Sequence, residues 1–192
     1  MDADAQRKAA GERAAGFVED GMVIGYGTGR GAMAALEALA RRKTRVRGVP
    51  TSGKTVEICR RLGLAIVSLD DHPRLDLVLD GADEVDPQRN LLKGGGGAHV
   101  REKLVALASR QRIIVVEESK LVPRLGATRR EGPPSDNGGV IVDAPLPASA
   151  DLLETDRALK GIAGVVDHGL FLDLTPTVVI GGDSGVRVLS GG

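Results

Sequence analysis

Short apolar runs alternate with helical segments along most of this chain, and this alternation restricts its fold more than any other feature. The runs at residues 22–26, 75–79 and 112–116 are apolar at most positions, on both sides of the strand rather than at every second residue. Strands of this kind that alternate with helices are typical of a parallel sheet covered on both sides. The sequence therefore predicts an α/β fold with a Rossmann-like, mostly parallel sheet and helices on both faces.

The remaining elements extend the same pattern. Predicted strands cover residues 22–26, 46–49, 64–69, 75–79, 112–116, 140–142, 177–180 and 186–189, and predicted helices cover about 5–19, 30–42, 53–62, 100–109 and 148–160. The polar, Pro- and Gly-rich stretch GATRREGPPSDN at residues 126–137 indicates a boundary. We expect residues 1–125 and 167–192 to form the Rossmann-like domain and residues 126–166 to form a small, truncated α+β appendage.

The composition excludes several classes of function. The chain has 26 basic and 26 acidic residues and a formal net charge of zero, which argues against nucleic-acid binding. No apolar run is long enough to span a membrane, and the charged N-terminus lacks the apolar core of a signal peptide. His72, His99 and His168 do not have the spacing of metal ligands. We therefore expect a cytoplasmic protein without a metal and without a nucleic-acid or membrane partner.

A glycine-rich turn, GYGTGRG at residues 25–31, follows the first predicted strand. A turn of this kind before a helix aims main-chain N–H groups at an anion, and the helix dipole adds to the attraction. Two alternatives are a purely structural tight turn and a dinucleotide-binding fold, for which Gly27-x-Gly29-x-x-Ala32 fits a loose fingerprint. The dinucleotide fold also needs an acidic residue at the end of the second strand, where this chain has GVPT.

The second motif, GVPTSGKT at residues 48–55, formally matches the nucleotide P-loop. In a P-loop the lysine, here Lys54, contacts phosphate and the hydroxyl, here Thr55, contacts magnesium. Against this interpretation, the motif follows the second strand rather than the first, and Gly48 lies too close to the strand for a wide loop. A nucleotide hydrolase is the alternative that tight, magnesium-dependent ATP or GTP binding would support.

The third segment, DGADEVDPQRNLLKGGGGAHVREK at residues 80–103, carries the most chemistry. Four carboxylates crowd the end of one predicted strand: Asp80, Asp83, Glu84 and Asp86. Clustered carboxylates raise one another's pKa and can divide acid and base roles. Four glycines follow Lys93 and permit close backbone approach, which suits an oxyanion cradle, and Glu102 then lies in the first turn of a helix. A charged loop before an ordinary helix poorly explains four successive glycines.

These segments together resemble the ribose-5-phosphate isomerase family, type A. The resemblance extends in order over nearly the whole chain, and its most specific blocks are DGADE and KGGGGA–REK. The matching stretches are DGMVIGYGTGR, GVPTS, LDLVLDGADEVD, LLKGGGGAHVREKLVA, VVEESKLVPRLG, SDNGGVIVDA and GVVDHGLFLDLTPTVVIGGDSGV. The resemblance implies isomerisation of ribose 5-phosphate and ribulose 5-phosphate without a metal or other cofactor. It also explains the P-loop match as an accident, because the family has a GVPTS strand end there.

The resemblance implies a role for each group in the third segment. Glu102 would be the base that moves a proton between C1 and C2, while Asp80 and Asp83 would handle hydroxyl protons and help to open the sugar ring. Lys93 and the glycine-loop N–H groups would stabilise the enediolate. The implied loop residues are Gly94, Gly95, Gly96 and Gly97. These roles agree with the chemistry, because an enediolate needs a base, a proton shuttle and fixed positive potential.

Other residues are implied to hold the substrate, chiefly its phosphate. They lie in the first glycine-rich turn, at the start of the third segment and at two basic positions: Thr28, Gly29, Arg30, Gly31, Gly81, Ala82, Lys120 and Arg7. The implied partner is a small sugar phosphate, and the implied assembly is a homodimer or a homotetramer.

Three departures from the family pattern concern substrate binding. The family turn reads GTGST, whereas this chain has Arg30 and Gly31, so two hydroxyls are lost and a bidentate phosphate donor is gained. A family lysine near the N-terminus is Arg7 here. A strand and a long helix that follow SKLVxxLG in the family are missing, because Gly126 leads almost directly to SDNGG. These departures leave two alternatives open: an isomerase of a related or modified sugar phosphate, and a non-catalytic sugar-phosphate-binding protein, for which Glu102 would be superfluous.

Overall fold

A seven-stranded sheet forms the centre of the structure, a computed structural model that describes residues 2–126 and 135–190. The strands are β1 (Val23–Tyr26), β2 (Arg47–Pro50), β3 (Ala65–Ile66), β4 (Leu75–Asp80), β5 (Glu84–Val85), β6 (Leu91–Leu92), β7 (Ser109–Glu117), β8 (Leu170–Phe171), β9 (Thr177–Gly182) and β10 (Gly185–Leu189). The helices are α1 (Ala3–Ala15), α2 (Arg30–Arg42), α3 (Gly53–Leu62), α4 (His99–Ala108) and α5 (Leu152–Lys160), and a 3-10 turn covers Glu118–Lys120.

The order of the strands in the large sheet is β10-β9-β7-β4-β1-β2-β3, and every neighbouring pair except β9 and β10 is parallel. From β1 the chain builds outward to β2 and β3, and it then returns to place β4 on the other side of β1. This reversal opens a crevice at the carboxyl ends of β1 and β4, which is where open α/β sheets bind ligands. The predicted Rossmann-like, mostly parallel sheet is confirmed.

Both faces of the sheet are covered, as the continuous apolar strands predict. On one face, Ile24 and Leu79 pack with Leu36 of α2 and with Cys59 of α3. On the other face, Val78 packs in a second cluster to which α4 contributes. Because successive residues of a strand point to opposite sides, neighbouring β4 residues supply both cores.

A second, three-stranded antiparallel sheet, in the order β5-β6-β8, lies outside the sequence prediction. Its strands have two residues each, so they carry no readable periodicity. Leu91 and Leu92 of β6 pair with Phe171 and Leu170 of β8, which follow much later in the chain. The small sheet matters for function because Lys93 comes directly after β6.

The predicted strand at residues 140–142 does not form, and this part of the prediction is wrong. Val140 and Val142 are 91% and 81% exposed, and no strand within residues 135–190 pairs with them. An extended segment without a neighbour has no partner for its main-chain N–H and C=O groups. Within residues 135–166 the only regular element is therefore α5, which Asp151 caps through the N–H of Glu154 at 2.9 Å. None of the helices in the described residues is long and apolar enough to cross a membrane.

A close crossing between α1 and α2 gives a test of this architecture. A Cβ atom on Gly11 would lie 2.5 Å from the carbonyl carbon of Ala34, within the backbone of α2. Glycine to alanine normally stabilises a helix interior, but here we expect Gly11→Ala to lower the free energy of unfolding by about 1–3 kcal/mol, because the backbone of α2 must shift. Urea denaturation measures this change. Lys8→Ala, at an exposed position of the same helix, is the control and should change little; a more stable Gly11→Ala protein would contradict the packing.

Candidate active site

Asp80, the last residue of β4, is held at the crevice between β1 and β4 and is only 2% exposed. Its Oδ1 atom accepts hydrogen bonds from the main-chain N–H groups of Gly81 at 2.8 Å and of Thr28 at 3.1 Å. Thr28 belongs to the glycine-rich turn after β1. The ends of β1 and β4 therefore both contact Oδ1 of Asp80, and Oδ2 remains available for other contacts.

Lys93 bridges Asp80 and the first turn of α4. Its Nζ atom lies 3.2 Å from Oδ2 of Asp80 and 3.1 Å from Oε1 of Glu102, and it also donates a hydrogen bond to the carbonyl of Gly81. The three charged side chains are at most 7% exposed. We call these three residues the carboxylate–lysine network.

Two buried carboxylates share one ammonium group, and this imbalance sets the protonation of the network. Burial raises the pKa of Glu102 to about 8; Lys93 acts in the opposite direction, while the neighbouring charge of Asp80 adds to the increase. Burial also raises the pKa of Asp80, against Lys93 and the two N–H donors. Burial disfavours the charged form of Lys93, but Asp80 and Glu102 outweigh it and raise the pKa of Lys93 above its ordinary value. The ammonium therefore stays charged, and Glu102 can gain or lose a proton near neutral pH.

The glycine loop, residues 94–97, connects Lys93 to the start of α4. Gly94 and Gly97 have φ angles of 133° and 77°, which side chains rarely adopt. The N–H of Gly95 donates to Oδ2 of Asp83 at 2.7 Å, and a Cβ on Gly95 would approach Oδ1 of the same carboxylate to 2.9 Å. Asp83, which is half-buried, thus fixes the loop beside Asp80 and Lys93.

The other predicted site residues lie around this centre. Arg7 is 5% exposed and forms ion pairs with Asp4 and, at 2.9 Å, with Glu117 at the end of β7. Lys120 follows in the 3-10 turn, and Arg30 is exposed at the start of α2. Within the described residues, the hydrogen bonds and ion pairs of Arg7 and Arg30 do not reach the carboxylate–lysine network.

Gly31 and Ala82 complete the predicted set. A Cβ atom on Gly31 would overlap the carbonyl oxygen of Val115 in β7, so this position accepts only glycine with the present backbone. The first turn of α2 therefore lies unusually close to β7. Ala82 is half-buried between Gly81 and Asp83.

Two of the four clustered carboxylates do not belong to the site, which corrects the sequence argument. Glu84 is fully buried and accepts a hydrogen bond from the N–H of Gly126 at 2.6 Å. Asp86 accepts hydrogen bonds from the main chain and the side chain of Asn90, at 2.8 and 2.9 Å, and so closes the turn between β5 and β6. Both carboxylates therefore bind main-chain groups that shape the fold.

The P-loop interpretation is wrong on structural grounds. Gly48 lies inside β2 and pairs with Ile24 of β1, so there is no wide loop around a phosphate. The hydroxyl of Thr55 is buried and donates to the carbonyl of Gly27 at 3.0 Å, which removes it from any metal. Lys54 is exposed. No group of three or more His, Cys, Asp or Glu side chains within residues 2–126 and 135–190 is arranged to hold a metal ion.

Two arrangements near the site were not anticipated. Phe171 of β8 lies close to two lysines, with Nζ of Lys93 at 5.7 Å and Nζ of Lys103 at 4.9 Å from the ring centroid. The second is a group of four hydroxyls, which we call the hydroxyl cluster: Thr28, Thr51, Ser52 and Thr55. The only hint of it in the sequence is the run of hydroxyl residues that follows the second predicted strand.

A buried carboxylate that titrates near neutrality, a fixed ammonium and a glycine loop form a site suited to proton transfer at carbon. The carboxylate can remove a proton next to a carbonyl group, and the lysine and loop N–H groups can stabilise the oxyanion that results.

Comparisons with known proteins agree with this chemistry. A family model described as ribose 5-phosphate isomerase A (phosphoriboisomerase A) matches residues 47–133 and 127–185. The ribose-5-phosphate isomerase A of Caulobacter sp. (strain K31) is 40% identical over 221 aligned positions, which cover 97% of this chain and 98% of the relative. That of Thermomicrobium roseum is 39% identical and covers 98% of this chain and 95% of the relative.

Solved structures show the same relationship. A D-ribose-5-phosphate isomerase in complex with phospho-erythronic acid superimposes with a TM-score of 0.92 at 31% identity, over all of both chains. The ribose 5-phosphate isomerase of Plasmodium falciparum gives a TM-score of 0.91 at 33% identity, covering 98% of this chain and 99% of the other. The two parts of the family match overlap at residues 127–133, next to the place where the sequence suggests missing residues.

The raised pKa of Glu102 predicts a pH-dependent stability difference. An exposed glutamate has a pKa of about 4.5, whereas Glu102 has a pKa of about 8, so the folded state binds the proton more tightly than the unfolded state. Ionising Glu102 therefore destabilises the fold as the pH rises through this interval. We expect Glu102→Gln, which cannot ionise, to gain at least about 1 kcal/mol of stability relative to the parent between pH 5 and pH 9.

Urea denaturation of both proteins at the two pH values measures this difference, and the titration of groups outside the carboxylate–lysine network cancels in the comparison. Glu57→Gln, at an exposed position of α3, is the matched control and should follow the parent at both pH values. An equal pH dependence of parent and Glu102→Gln would show that Glu102 is not held in its protonated form by burial.

Proposed function

The chain belongs to the ribose 5-phosphate isomerase A family, and we propose that it interconverts ribose 5-phosphate and ribulose 5-phosphate through an enediolate. The observation that carries this proposal is the carboxylate–lysine network, in which Nζ of Lys93 lies 3.1 Å from Glu102 and 3.2 Å from Asp80. The network combines the base, the proton shuttle and the positive charge that the reaction needs, in one buried site.

In the proposed reaction, Glu102 removes the proton from C2 of the open-chain aldose and returns it to C1 of the enediolate. The proton on the C2 hydroxyl passes to O1, and Asp80 is the group placed to carry it. The ammonium of Lys93 and the N–H groups of the glycine loop stabilise the negative charge on the oxygens between these two steps. No net proton or electron is gained or lost, so these residues suffice for the isomerisation as written.

We assign ring opening to Asp83 together with Asp80. The cyclic sugar must transfer the proton of its C1 hydroxyl to the ring oxygen, because the proton at C2 becomes acidic only once C1 is a carbonyl. Asp83 is more accessible than Asp80, and its Oδ2 atom accepts a hydrogen bond from the N–H of Gly95 in the glycine loop. A carboxylate with one side toward solvent can exchange its proton between turnovers. This division of roles agrees with the burial of the two groups.

We propose that the phosphate lies between the N-terminus of α2 and the end of β7. In the turn formed by Thr28, Gly29, Arg30 and Gly31, the last three residues would supply main-chain N–H groups and Arg30 a guanidinium, and Gly81 and Ala82 would line the sugar. Lys120, in the 3-10 turn after β7, and Arg7 of α1, which pairs with Glu117 at the end of β7, would lie on the other side. Glu117 and Asp4 compensate the charge of Arg7, so we expect Lys120 and Arg30 to supply most of the uncompensated positive charge.

A solved relative was obtained with phospho-erythronic acid. This compound carries a phosphate and a planar carboxylate, and the carboxylate has the charge of an enediolate. Its presence in a related protein supports a site for sugar phosphates that stabilises negative charge near C1 and C2. The proposal that the protein works in the cytoplasm as a homodimer or homotetramer remains a prediction.

The function is tested by mixing the purified protein with ribose 5-phosphate, without added metal, and following ribulose 5-phosphate. We expect turnover by the parent and a loss of about 10²- to 10⁴-fold in kcat for Glu102→Gln, the range that a general base contributes. Glu57→Gln should retain the parent rate. If Glu102→Gln kept the full rate, the assignment of the base would be wrong; binding of ribose 5-phosphate without turnover by the parent would favour the non-catalytic alternative.

A related or modified sugar phosphate is the second candidate substrate, and Arg30 is the observation that favours it. The family has a small hydroxyl residue there, and a guanidinium could both hold phosphate and narrow the cleft. A panel of pentose and modified sugar phosphates discriminates between the two candidates. A kcat/KM well above that for ribose 5-phosphate would establish the second.

The pH dependence of the rate follows from the pKa of Glu102. A base must be ionised to accept a proton, and Glu102 becomes ionised only as the pH rises through about 8. We therefore expect kcat/KM to increase with pH and to level off above pH 8, with an acid limb well above the ordinary range of glutamate. An acid limb near the pKa of an exposed carboxylate would mean that the network does not hold the proton.

A further inference from the structure

The hydroxyl cluster joins the glycine-rich turn after β1 to the segment that follows β2. Oγ1 of Thr28 is 2.8 Å from Oγ1 of Thr51, 2.8 Å from Oγ of Ser52 and 3.0 Å from Oγ1 of Thr55. Thr51, Ser52 and Thr55 are at most 2% exposed. The hydroxyl of Thr28 is therefore enclosed by protein hydroxyls that the proposed reaction does not use.

The cluster is anchored to the end of β1. Thr51 donates through its main-chain N–H and its hydroxyl to the carbonyl of Tyr26, at 2.9 and 3.2 Å. Thr55 donates its hydroxyl to the carbonyl of Gly27 at 3.0 Å, and its N–H to Oγ of Ser52 at 3.0 Å. The cluster thus fixes three consecutive residues, through two carbonyls and the Thr28 side chain.

These contacts matter because the turn has little stiffness of its own. Thr28 stands between two glycines, and Gly29 has a φ angle of 100°. A Cβ atom on Gly27 would clash with the Asp80 carboxylate, so the turn lies directly against that group. Within this flexible turn, the N–H of Thr28 must stay 3.1 Å from Oδ1 of Asp80.

We propose that Thr51, Ser52 and Thr55 are positioning residues for Asp80: their hydroxyls hold Thr28 so that its N–H fixes Oδ1 and leaves Oδ2 directed at Lys93. The role of Asp80 in turnover rests on the function proposed above. Under this assignment the Thr28 hydroxyl serves the protein rather than the substrate, and the contribution of Thr28 to the site is its main-chain N–H.

The test compares Thr55→Val with Thr55→Ser. Valine has nearly the shape of threonine but no hydroxyl, whereas serine keeps the hydroxyl and loses a methyl group. We expect Thr55→Val to lower kcat for ribose 5-phosphate by about 10- to 100-fold, the effect of losing the hydrogen bond from the Thr28 N–H to the charged Asp80, with KM changed by less than about threefold. Thr55→Ser should stay within about threefold of the parent.

The pH profile separates positioning from a general loss of structure. In the proposed reaction Asp80 must be ionised to accept the C2 hydroxyl proton, so the acid limb of kcat/KM depends on Asp80 together with Glu102. The N–H of Thr28 stabilises the anionic form of Asp80, so its displacement should move this shared acid limb to higher pH in Thr55→Val and not in Thr55→Ser. A lower melting temperature alone would not produce this shift. An unchanged acid limb with kcat within twofold of the parent would overturn the proposal, as would a raised KM at unchanged kcat.

A measurement without substrate keeps this proposal separate from the proposed function. Carbon-13 NMR titration of the carboxyl groups should show the Asp80 signal titrating at higher pH in Thr55→Val than in the parent. If the parent does not turn over ribose 5-phosphate, the function fails and the titration alone decides the positioning role. If Thr55→Val does not fold, Thr51→Val replaces it, because this change removes a different anchor, the hydroxyl's hydrogen bond to the carbonyl of Tyr26. If Asp80 titrates at the same pH in the folded variant as in the parent, the proposal is overturned.

Discussion

The sharing of one buried ammonium by two buried carboxylates is the constraint on which the rest of the site depends. An isolated ion of either sign would be too costly to bury, and a simple pair would leave no group free to titrate near neutrality. Lys93 lies between Asp80 and Glu102 and balances only one of their two negative charges. Burial therefore favours the protonated form of Glu102. The reactive state of Glu102 is therefore obtained at the expense of stability, as expected for a group held ready for proton transfer.

The fold brings these groups together from four parts of the chain. Asp80 ends β4, the turn after β1 supplies an N–H donor, and α4 presents Glu102. Lys93 reaches them because the small sheet fixes the chain on either side: its N–H donates to the carbonyl of Gly169 at 2.9 Å, and β6 pairs with β8. Residues 169–171, which come much later in the chain, thus position the side chain of Lys93.

The sequence predicted the parts of the structure that have long-range periodicity or concentrated chemistry. The parallel sheet and the residues Asp80, Lys93 and Glu102 fall into these classes. It did not predict β5, β6 and β8, because two-residue strands have no period and their pairing depends on tertiary contacts. The strand expected at residues 140–142 followed its local pattern, but nothing in the described structure pairs with it. Glu84 and Asp86 were grouped with Asp80 by proximity in sequence, which does not tell where a side chain points.

Two departures of this chain from the family pattern lie in the turn after β1 and next to Gly126. Arg30 and Gly31 belong to the turn for which we propose a contact with phosphate, and the sequence indicates missing residues after Gly126. The segment that begins at residue 135 contacts the glycine loop and α4 directly. The N–H of Asp136 donates to the carbonyl of Gly97 at 3.2 Å, and Arg101 of α4 donates to the side chain of Asn137 at 2.7 Å. None of these contacts includes a side chain of the carboxylate–lysine network. Under the proposed function, changes here alter how the sugar phosphate is held, while Asp80, Lys93 and Glu102 keep their contacts with one another.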